Sequence, residues 1–322
     1  MVASKHRLGW IGMGRMGTPM AELLLKAGHD VQLWNRTKSK AEPLAAKGAK
    51  LVDQPADLSG TDILFTMVST GKDLEQVYFG EGGVASRGKN ALPKIFVDCS
   101  SIGVEDSAKI SARLGEMGAQ FLAVPVSGNG KCVKAGKLSA VASGPRAAFD
   151  AAKPYIEAFA RAGLSYVGEG ELARICKIAH NVMLGVVIQN LAEITILAQK
   201  HGVPRHAFLD FMNNSVMGST FTRYKSNALV NLDWTTTFTM ELLRKDMDLG
   251  LTAARKFDVP MPVTAATREA IQSHFGVATL KPDPKAYLDM DFATLLETQA
   301  LASGVALKSE GVPVPTGLEV DH

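Results

Sequence analysis

Lys177 and Asn181 stand four residues apart in Glu171 to His201, a stretch whose Leu172, Ile175, Ala179, Val182, Met183, Val186, Val187, Leu191, Ile194, Ile196 and Leu197 are apolar. At a period of 3.6 this pattern predicts a helix of roughly thirty residues, apolar almost all round and buried against more than one neighbour. Residues four apart share a helix face, so a cation and an amide point together out of an apolar rod. Such a pair can polarise an oxygen and hand it a proton. The plainer alternative is a snorkelling lysine beside a satisfied asparagine, and the rest of the chain must decide between them.

The elements ahead of that helix supply a second chemistry. Leu8-Gly9-Trp10-Ile11 reads as a short buried strand, Gly12-Met13-Gly14-Arg15-Met16-Gly17 as a glycine turn, and Met20, Leu23, Leu24 and Leu25 mark the helix that follows. Strand, glycine turn and helix in this order suit a dinucleotide pyrophosphate. Gly12 permits the tight turn, Gly14 lets the phosphates approach the backbone, and Gly17 lets the helix pack close to the sheet. A second strand, Val31 to Trp34, ends at Asn35-Arg36-Thr37. An acidic residue there would read a ribose 2′-hydroxyl, whereas Asn35 and Arg36 offer donors and a cation suited to a 2′-phosphate. NADP(H) is therefore expected in preference to NAD(H). The alternative is a solvated Arg36 and a Thr37 that caps a helix from Lys38 to Lys47.

Further strands are expected at Ala49–Val52, Asp62–Val68, Lys94–Asp98, Gln120–Val124, Leu138–Ser143 and Leu164–Val167, most of them separated by helical segments. Alternation of this kind predicts a mostly parallel, doubly wound α/β sheet of Rossmann type, with ligands beyond the carboxyl ends of the strands. Met67-Val68-Ser69-Thr70 and Asp98-Cys99-Ser100-Ser101 lie at such ends. Val124-Pro125-Val126-Ser127-Gly128-Asn129-Gly130 leaves another strand and turns sharply. Its backbone N–H groups and the Ser127 hydroxyl can cradle a carboxylate, or form a plain turn; spacing alone does not separate the two. Beyond the long helix, Pro204–Asn214, Phe221–Leu229, Glu241–Phe257 and Pro262–His274 carry helical stripes without strand alternation, and Asp291–Leu301 reads as one more helix.

Composition narrows the classes. The 322 residues, 46% of them hydrophobic, suffice for two cored domains, and a net charge of +3 with scattered basic residues gives no stripe for nucleic acid. Cys99, Cys132 and Cys176 have neither metal-ligand spacing nor an even disulfide framework, so no metal is expected and the default location is cytoplasmic. No window reads as a membrane span uninterrupted by polar residues. Periodicity fades from Ser303, which predicts a loose tail.

With Gly12-x-Gly14-x-x-Gly17, Asn35-Arg36-Thr37, Pro125-Val126-Ser127-Gly128 and Lys177-x-x-x-Asn181 in this order, the chain resembles the β-hydroxyacid dehydrogenase family, which includes 3-hydroxyisobutyrate dehydrogenases and glyoxylate/succinic semialdehyde reductases. The resemblance spans roughly Leu8 to Leu296. It implies a Rossmann-type NADP-binding domain, 1–168, then an all-helical substrate and dimerisation domain, 169–322, with the active site between them. It implies Lys177 as catalytic acid/base with Asn181 holding lysine and substrate oxygen in register. It implies Ser127 and Gly128, with Asn129 beside them, on the substrate carboxylate, and Val68, Ser69 and Ser101 on the cofactor. The segment from Phe238 to Lys245-Asp246-Met247-Asp248 is similar to the family's later Lys-Asp motif. That similarity implies Phe238 lining the substrate pocket, Lys245 near the nicotinamide, and Asp246 paired with a nearby lysine.

Two positions depart from the family pattern: Ala123 stands where an aspartate is common, and Asn129 where a second glycine is common. The expected substrate is a small carbonyl or hydroxy acid. Alternatives are a non-acid carbonyl or an imine, or a catalytically silent NADP-binding protein. Among related enzymes, Lys177-Ile178-Ala179-His180-Asn181 is similar to 6-phosphogluconate dehydrogenases, but Leu184 stands where those have a glutamate and the helical domain is too short. His180 reads as a packed or surface side chain. An apolar-all-round helix in so small a domain predicts a homodimer or homotetramer.

Overall fold

The computed structural model describes residues 6–319; residues 1–5 and 320–322, which the expected domain ranges took in, lie outside the described residues. The chain divides into two compact units, 1–177 and 178–322.

In the first unit the elements run β1 (Leu8–Ile11), α1 (Gly17–Lys26), β2 (Val31–Trp34), α2 (Glu42–Ala45), β3 (Lys50–Leu51), β4 (Ile63–Thr66), α3 (Gly71–Phe79), β5 (Ile95–Asp98), α4 (Val104–Glu116), β6 (Gln120–Ala123), β7 (Val126–Ser127), α5 (Gly130–Lys134), β8 (Ser139–Ala142), α6 (Arg146–Phe159) and β9 (Gly163–Tyr166). Six strands form one parallel sheet in the order β3-β2-β1-β4-β5-β6, with Leu8 opposite both Val31 and Ile63. Alternate residues serve opposite faces, as the pleat requires. Trp10, Phe65 and Val97 join Met20, Leu24, Phe149 and Phe159 of α1 and α6, while Ile11, Leu64 and Phe96 join Leu74, Tyr78, Ile110 and Leu114 of α3 and α4. Both faces are thus covered, which is why β1, β4 and β5 read as continuous apolar runs. The indole of Trp10 stacks on Phe65 at 5.6 Å and meets Phe159 edge-on, fixing the strand that leads into the glycine turn.

Three local expectations are corrected. The segments expected at Leu138–Ser143 and Leu164–Val167 leave the large sheet: β8 and β9 pair in parallel with each other, and β8 pairs antiparallel with β7 in a separate three-stranded sheet. The two-residue strand β7 is too short to show a period. The helix expected from Lys38 to Lys47 is a 3-10 turn, Lys38–Lys40, followed by the four-residue α2, and Thr37 makes no side-chain cap there. Pro43 in the first turn of α2, without a side-chain cap before it, accounts for the break.

The second unit is built on α7 (Leu172–Lys200), α8 (Arg205–Asn214), α9 (Thr220–Asn231), α10 (Met240–Arg255), α11 (Pro262–Ala278), α12 (Pro284–Leu288) and α13 (Leu295–Ala302), with the first turns of α7 belonging to the first unit. Ile188, Leu191, Ala192 and Ile196 of α7 pack with Leu229, Met240, Leu243, Met247 and Ile271. Burial of α7 is more one-sided than its composition suggests: Leu172, Ile175, Met183 and Leu197 are exposed. By length and composition α7 could cross a bilayer, but half of its most apolar window is buried within the protein, as in a core helix.

The tail expected to be loose from Ser303 is instead pinned to the second unit. Arg205 is buried and donates to the Leu229, Val230 and Lys308 carbonyls, while the Glu310 carboxylate accepts from the backbone N–H groups of Arg205 and His206 at 2.8 and 2.9 Å. Val305, Leu307 and Val314 add apolar contact. The tail lacks periodicity because it is an extended strap held by side chains of another element.

Candidate active site

The glycine turn separates what the fold requires from what a ligand requires. Gly12 has φ +100°, and a Cβ there would lie 2.1 Å from the Met67 carbonyl oxygen; a Cβ on Gly17 would lie 1.9 Å from the Gly12 oxygen. Those two glycines are needed for β1, α1 and the start of the β4 loop to meet. Around Gly14 a Cβ would meet nothing within 4 Å. The turn is therefore open at the position where a pyrophosphate approaches, and no side chain caps the first turn of α1 at Met16. Met13 is buried and Arg15 exposed at the turn's rim. The residues present fit a dinucleotide.

Asn35 does not stand free to read a phosphate. Its Oδ1 accepts from the Met13 N–H at 2.8 Å and its Nδ2 donates to the Thr37 carbonyl at 2.7 Å, so it ties the end of β2 to the glycine turn. Arg36 is the cation on offer: its side chain is 86% exposed, with a 3.5 Å contact to Asp73. Across the strand ends, the Val68 N–H donates to Ser100 Oγ at 2.9 Å, whereas Ser69 and Ser101 are exposed. Thr70 caps α3 by accepting from the Asp73 N–H.

Ser127 ends β7, and Gly128 follows with φ +128°, where a Cβ would press on Cys132 at 2.8 Å. Asn129 caps α5, its Oδ1 accepting from the N–H groups of Lys131 and Cys132, while its buried Nδ2 has no hydrogen-bond partner. Glycine has no side-chain oxygen to accept from these two N–H groups, which gives this departure a structural reason. Ala123 is buried, bridges to Ser143 and stands opposite Asp98 in the sheet, in an apolar cluster with Phe121 and Ala173; an aspartate there would be a second carboxylate buried next to Asp98. Lys131, Lys134 and Lys137 are all exposed, and α5 abuts the glycine turn where Gly130 faces the Arg15 carbonyl.

On α7, Lys177 is half-buried and Asn181 buried. The Asn181 Nδ2 donates to Asp246 Oδ2 at 2.6 Å, and its Oδ1 lies 2.9 Å from His180 Nδ1. Asp246 Oδ1 pairs with Lys245 Nζ at 3.1 Å, a contact between a buried carboxylate and a lysine that is itself exposed. Phe238 packs edge-on against Phe292 at 5.8 Å. Its loop is held by a buried pair: Lys225 Nζ donates to Asp291 Oδ1 at 2.5 Å and to Thr237 Oγ1, and Asp291 accepts from the Thr237 N–H.

One cluster escaped the sequence reading. Arg174, 1% exposed, donates through Nη2 to Asp98 Oδ2, through Nη1 to the Ser100 carbonyl, both at 2.5 Å, and through Nε to Ser107 Oγ at 3.0 Å. Its only signal in the sequence is an arginine among apolar residues one turn before Lys177. Nearby, Glu171 is driven above the usual carboxylate range by burial, and Cys99 well above the usual thiol range by burial and the Asp98 charge. Cys99 is therefore inert packing rather than a nucleophile.

Two family descriptions match successive parts of the chain: the NAD-binding domain of 6-phosphogluconate dehydrogenase over residues 7–168, and the NAD-binding region of NADP-dependent 3-hydroxyisobutyrate dehydrogenase over residues 171–286. Glyoxylate/succinic semialdehyde reductase 2, chloroplastic, of Arabidopsis thaliana is 30% identical over 296 residues, covering 90% of this chain and 78% of that protein. The chain belongs to the β-hydroxyacid dehydrogenase family. As a member it is an NAD(P)-dependent oxidoreductase acting on CH–OH groups. The 3-hydroxyisobutyrate dehydrogenase of Pseudomonas aeruginosa is 28% identical, covering 83% of this chain and 91% of its own. The fold matches the crystal structure of 3-hydroxyisobutyrate dehydrogenase from Salmonella typhimurium with a TM-score of 0.77 at 24% identity, covering 91% and 99% of the two chains.

Proposed function

We propose that this enzyme reduces a small semialdehyde or keto acid to its β-hydroxy acid with NADPH. The observation that carries the reading is the polar pair of α7: Lys177 is present, and Asn181 is fixed by a buried carboxylate that also holds Lys245. Gly12, Met13, Gly14, Arg15, Met16 and Gly17, with Val68, Ser69, Ser101 and Lys245, hold the dinucleotide in this reading. Asn35 shapes the turn, and Arg36, with Thr37 beside it, meets the 2′-phosphate; the exposed guanidinium supports NADP(H) over NAD(H). When bound, the nicotinamide supplies or takes up the hydride.

The protein's own groups do the rest. Ser127, the Gly128 backbone and the unpartnered Asn129 amide donate to the substrate carboxylate, which converts binding energy into orientation of the carbonyl. The Lys177 ammonium polarises the carbonyl oxygen and gives it a proton as the alkoxide forms; in the reverse direction the neutral Lys177 amine accepts that proton. Asn181 keeps Lys177 and the oxygen in register, and Phe238 supplies an apolar wall. The exposed Leu172, Ile175, Met183 and Leu197 of α7 support a homodimer or homotetramer, and Cys99, Cys132 and Cys176, which are thiols rather than disulfides, support a cytoplasmic setting.

The test follows NADPH oxidation with glyoxylate, succinic semialdehyde, methylmalonate semialdehyde, tartronate semialdehyde and a cyclic imine, using wild type and Lys177→Ala, with NADH run in parallel. Turnover of a semialdehyde acid, faster with NADPH and collapsing by about a hundredfold or more in the variant, is the expected result. Turnover of the imine alone, or a variant as active as wild type, overturns the lysine assignment. Equal rates with NADH remove the role given to Arg36.

A further inference from the structure

Arg174 sits on α7 one turn before Lys177, and its guanidinium donates to Asp98 at the end of β5, to the Ser100 carbonyl in the loop that follows, and to Ser107 of α4. Asp98, its carboxylate partner, is 0% exposed and accepts from Ser100 Oγ at 2.7 Å through its other oxygen. Ser100 Oγ in turn accepts from the Val68 N–H, which belongs to the loop after β4. Arginine, aspartate, serine and backbone amide thus form one continuous buried chain. It runs from the helix turn that presents Lys177 to both strand-end loops, Met67–Ser69 and Cys99–Ser101. Ser107 of α4 closes it on the third side.

A buried ion pair is a costly way to hold a helix. Removing two charges from water costs several kcal/mol per ion, and a well-packed apolar pair of similar volume is often as stable or more so. What the pair provides here is direction: three guanidinium nitrogens with three different acceptors fix both the height and the rotation of the first turns of α7. From this connection we infer that Arg174 is a positioning residue coupling occupancy of the nucleotide loops to the placement of Lys177. Ligand contacts that order Val68–Ser69 and Ser101 act on Ser100 and Asp98, and through Arg174 they order the turn that carries Lys177. The inference rests on the proposed dinucleotide role of those loops.

The test uses hydrogen–deuterium exchange of the full chain with and without NADPH, read by peptide, for wild type, Arg174→Met/Asp98→Asn and Arg174→Lys. The double substitution removes both charges, and so avoids leaving one of them buried alone. Arg174→Lys keeps a cation against Asp98 while giving up the bonds to Ser100 and Ser107, and keeps the question answerable if the double variant fails to fold. In wild type, NADPH is expected to slow exchange at residues 67–69 and 99–102 and also at 172–177. In the variants the loops stay protected and the helix protection is lost. With a turned-over substrate, kcat at saturating NADPH is expected to fall about tenfold while the substrate KM changes little. Helix protection that survives in the variants, or is missing in wild type while the loops respond, overturns the coupling. A wild type in which NADPH protects neither loop overturns the cofactor reading itself, and the coupling with it.

Discussion

The contact between Asn181 and Asp246 is the most exposed point of the proposed mechanism, because it makes a position on α10 answerable for a side chain on α7. The Asn181 Nδ2 to Asp246 Oδ2 bond is 2.6 Å long between two buried groups, and a hydrogen bond to a charged partner in such a place contributes about 1.5–3 kcal/mol. The Lys245 pair on the other oxygen adds little of its own, because the lysine is 43% exposed and such pairs are worth about 0–1 kcal/mol. Asp246→Asn keeps an acceptor for Asn181 and gives up the charge, a loss of about 1 kcal/mol, or roughly fivefold in kcat/KM if it falls wholly on placement of Asn181. Asp246→Ala leaves the buried amide without an acceptor, about 1–3 kcal/mol, or roughly 5- to 150-fold. The decisive assay is a double-mutant cycle of Asp246→Ala with Asn181→Ala, read both as kcat/KM and as thermal unfolding. The expected coupling is about 1–2 kcal/mol in each. If the two substitutions are additive within about 0.5 kcal/mol in both readouts, Asp246 does not hold Asn181 and the argument fails.

Two further perturbations separate fold from ligand. A Gly12→Ala chain must move the Met67 carbonyl or abandon the turn, so it should lose thermal stability and NADPH affinity together; Gly14→Ala meets no protein atom within 4 Å and should unfold like wild type while its NADPH affinity falls about tenfold or more. Fluorescence titration and a melt of each variant check this, and a Gly14→Ala protein that binds NADPH normally would remove the pyrophosphate from that turn. Glu310→Gln should lower the melting temperature of the helical unit by a few degrees, since the carboxylate takes the first N–H groups of α8, which Pro204 cannot cap, at about 1–2 kcal/mol. Burial pushes the Glu310 carboxyl up, but the bonds from His206 and Arg205 outweigh it and hold the group below the usual carboxylate range. Its contribution is therefore present above the unfolded-state pKa of about 4.3 and lost as pH falls through the lower folded value; a melt whose Glu310 dependence grows toward acid contradicts the strap.

The legible parts of this chain are those written in local pattern. Strand, glycine turn and helix are contiguous, and the roles of Gly12 and Gly17 follow from backbone geometry within a few residues and one neighbouring strand. The parallel character of the sheet follows from apolar runs separated by helices. What stayed hidden depends on partners far along the chain. Arg174 meets Asp98 across 76 positions and Asn181 meets Asp246 across 65, and no period marks either pair. Asn35 looked like a donor for a phosphate because its type and place allow it; only the positions of Met13 and Thr37 show both ends of the amide engaged. The strap beyond Ser303 looked loose because extended backbone carries no helical stripe, and its order comes from Arg205, about a hundred residues earlier in the chain.

The same contrast explains how α7 is set in place. By composition alone a helix apolar on most sides has little preference for one rotation about its axis, yet α7 buries one side and leaves Leu172, Ile175, Met183 and Leu197 exposed. Arg174, Lys177 and Asn181 fall at i, i+3 and i+7 and share one face. The outer two each end on a buried carboxylate, Asp98 in the first unit and Asp246 in the second. Slipping the helix by one residue turns that face by about 100°, which would strip both carboxylates of their partners in addition to moving Ile188, Leu191, Ala192 and Ile196 out of the core. The polar exceptions therefore reinforce the rotation that the buried apolar side also favours. Lys177 lies on the same face of the helix, between these two anchors.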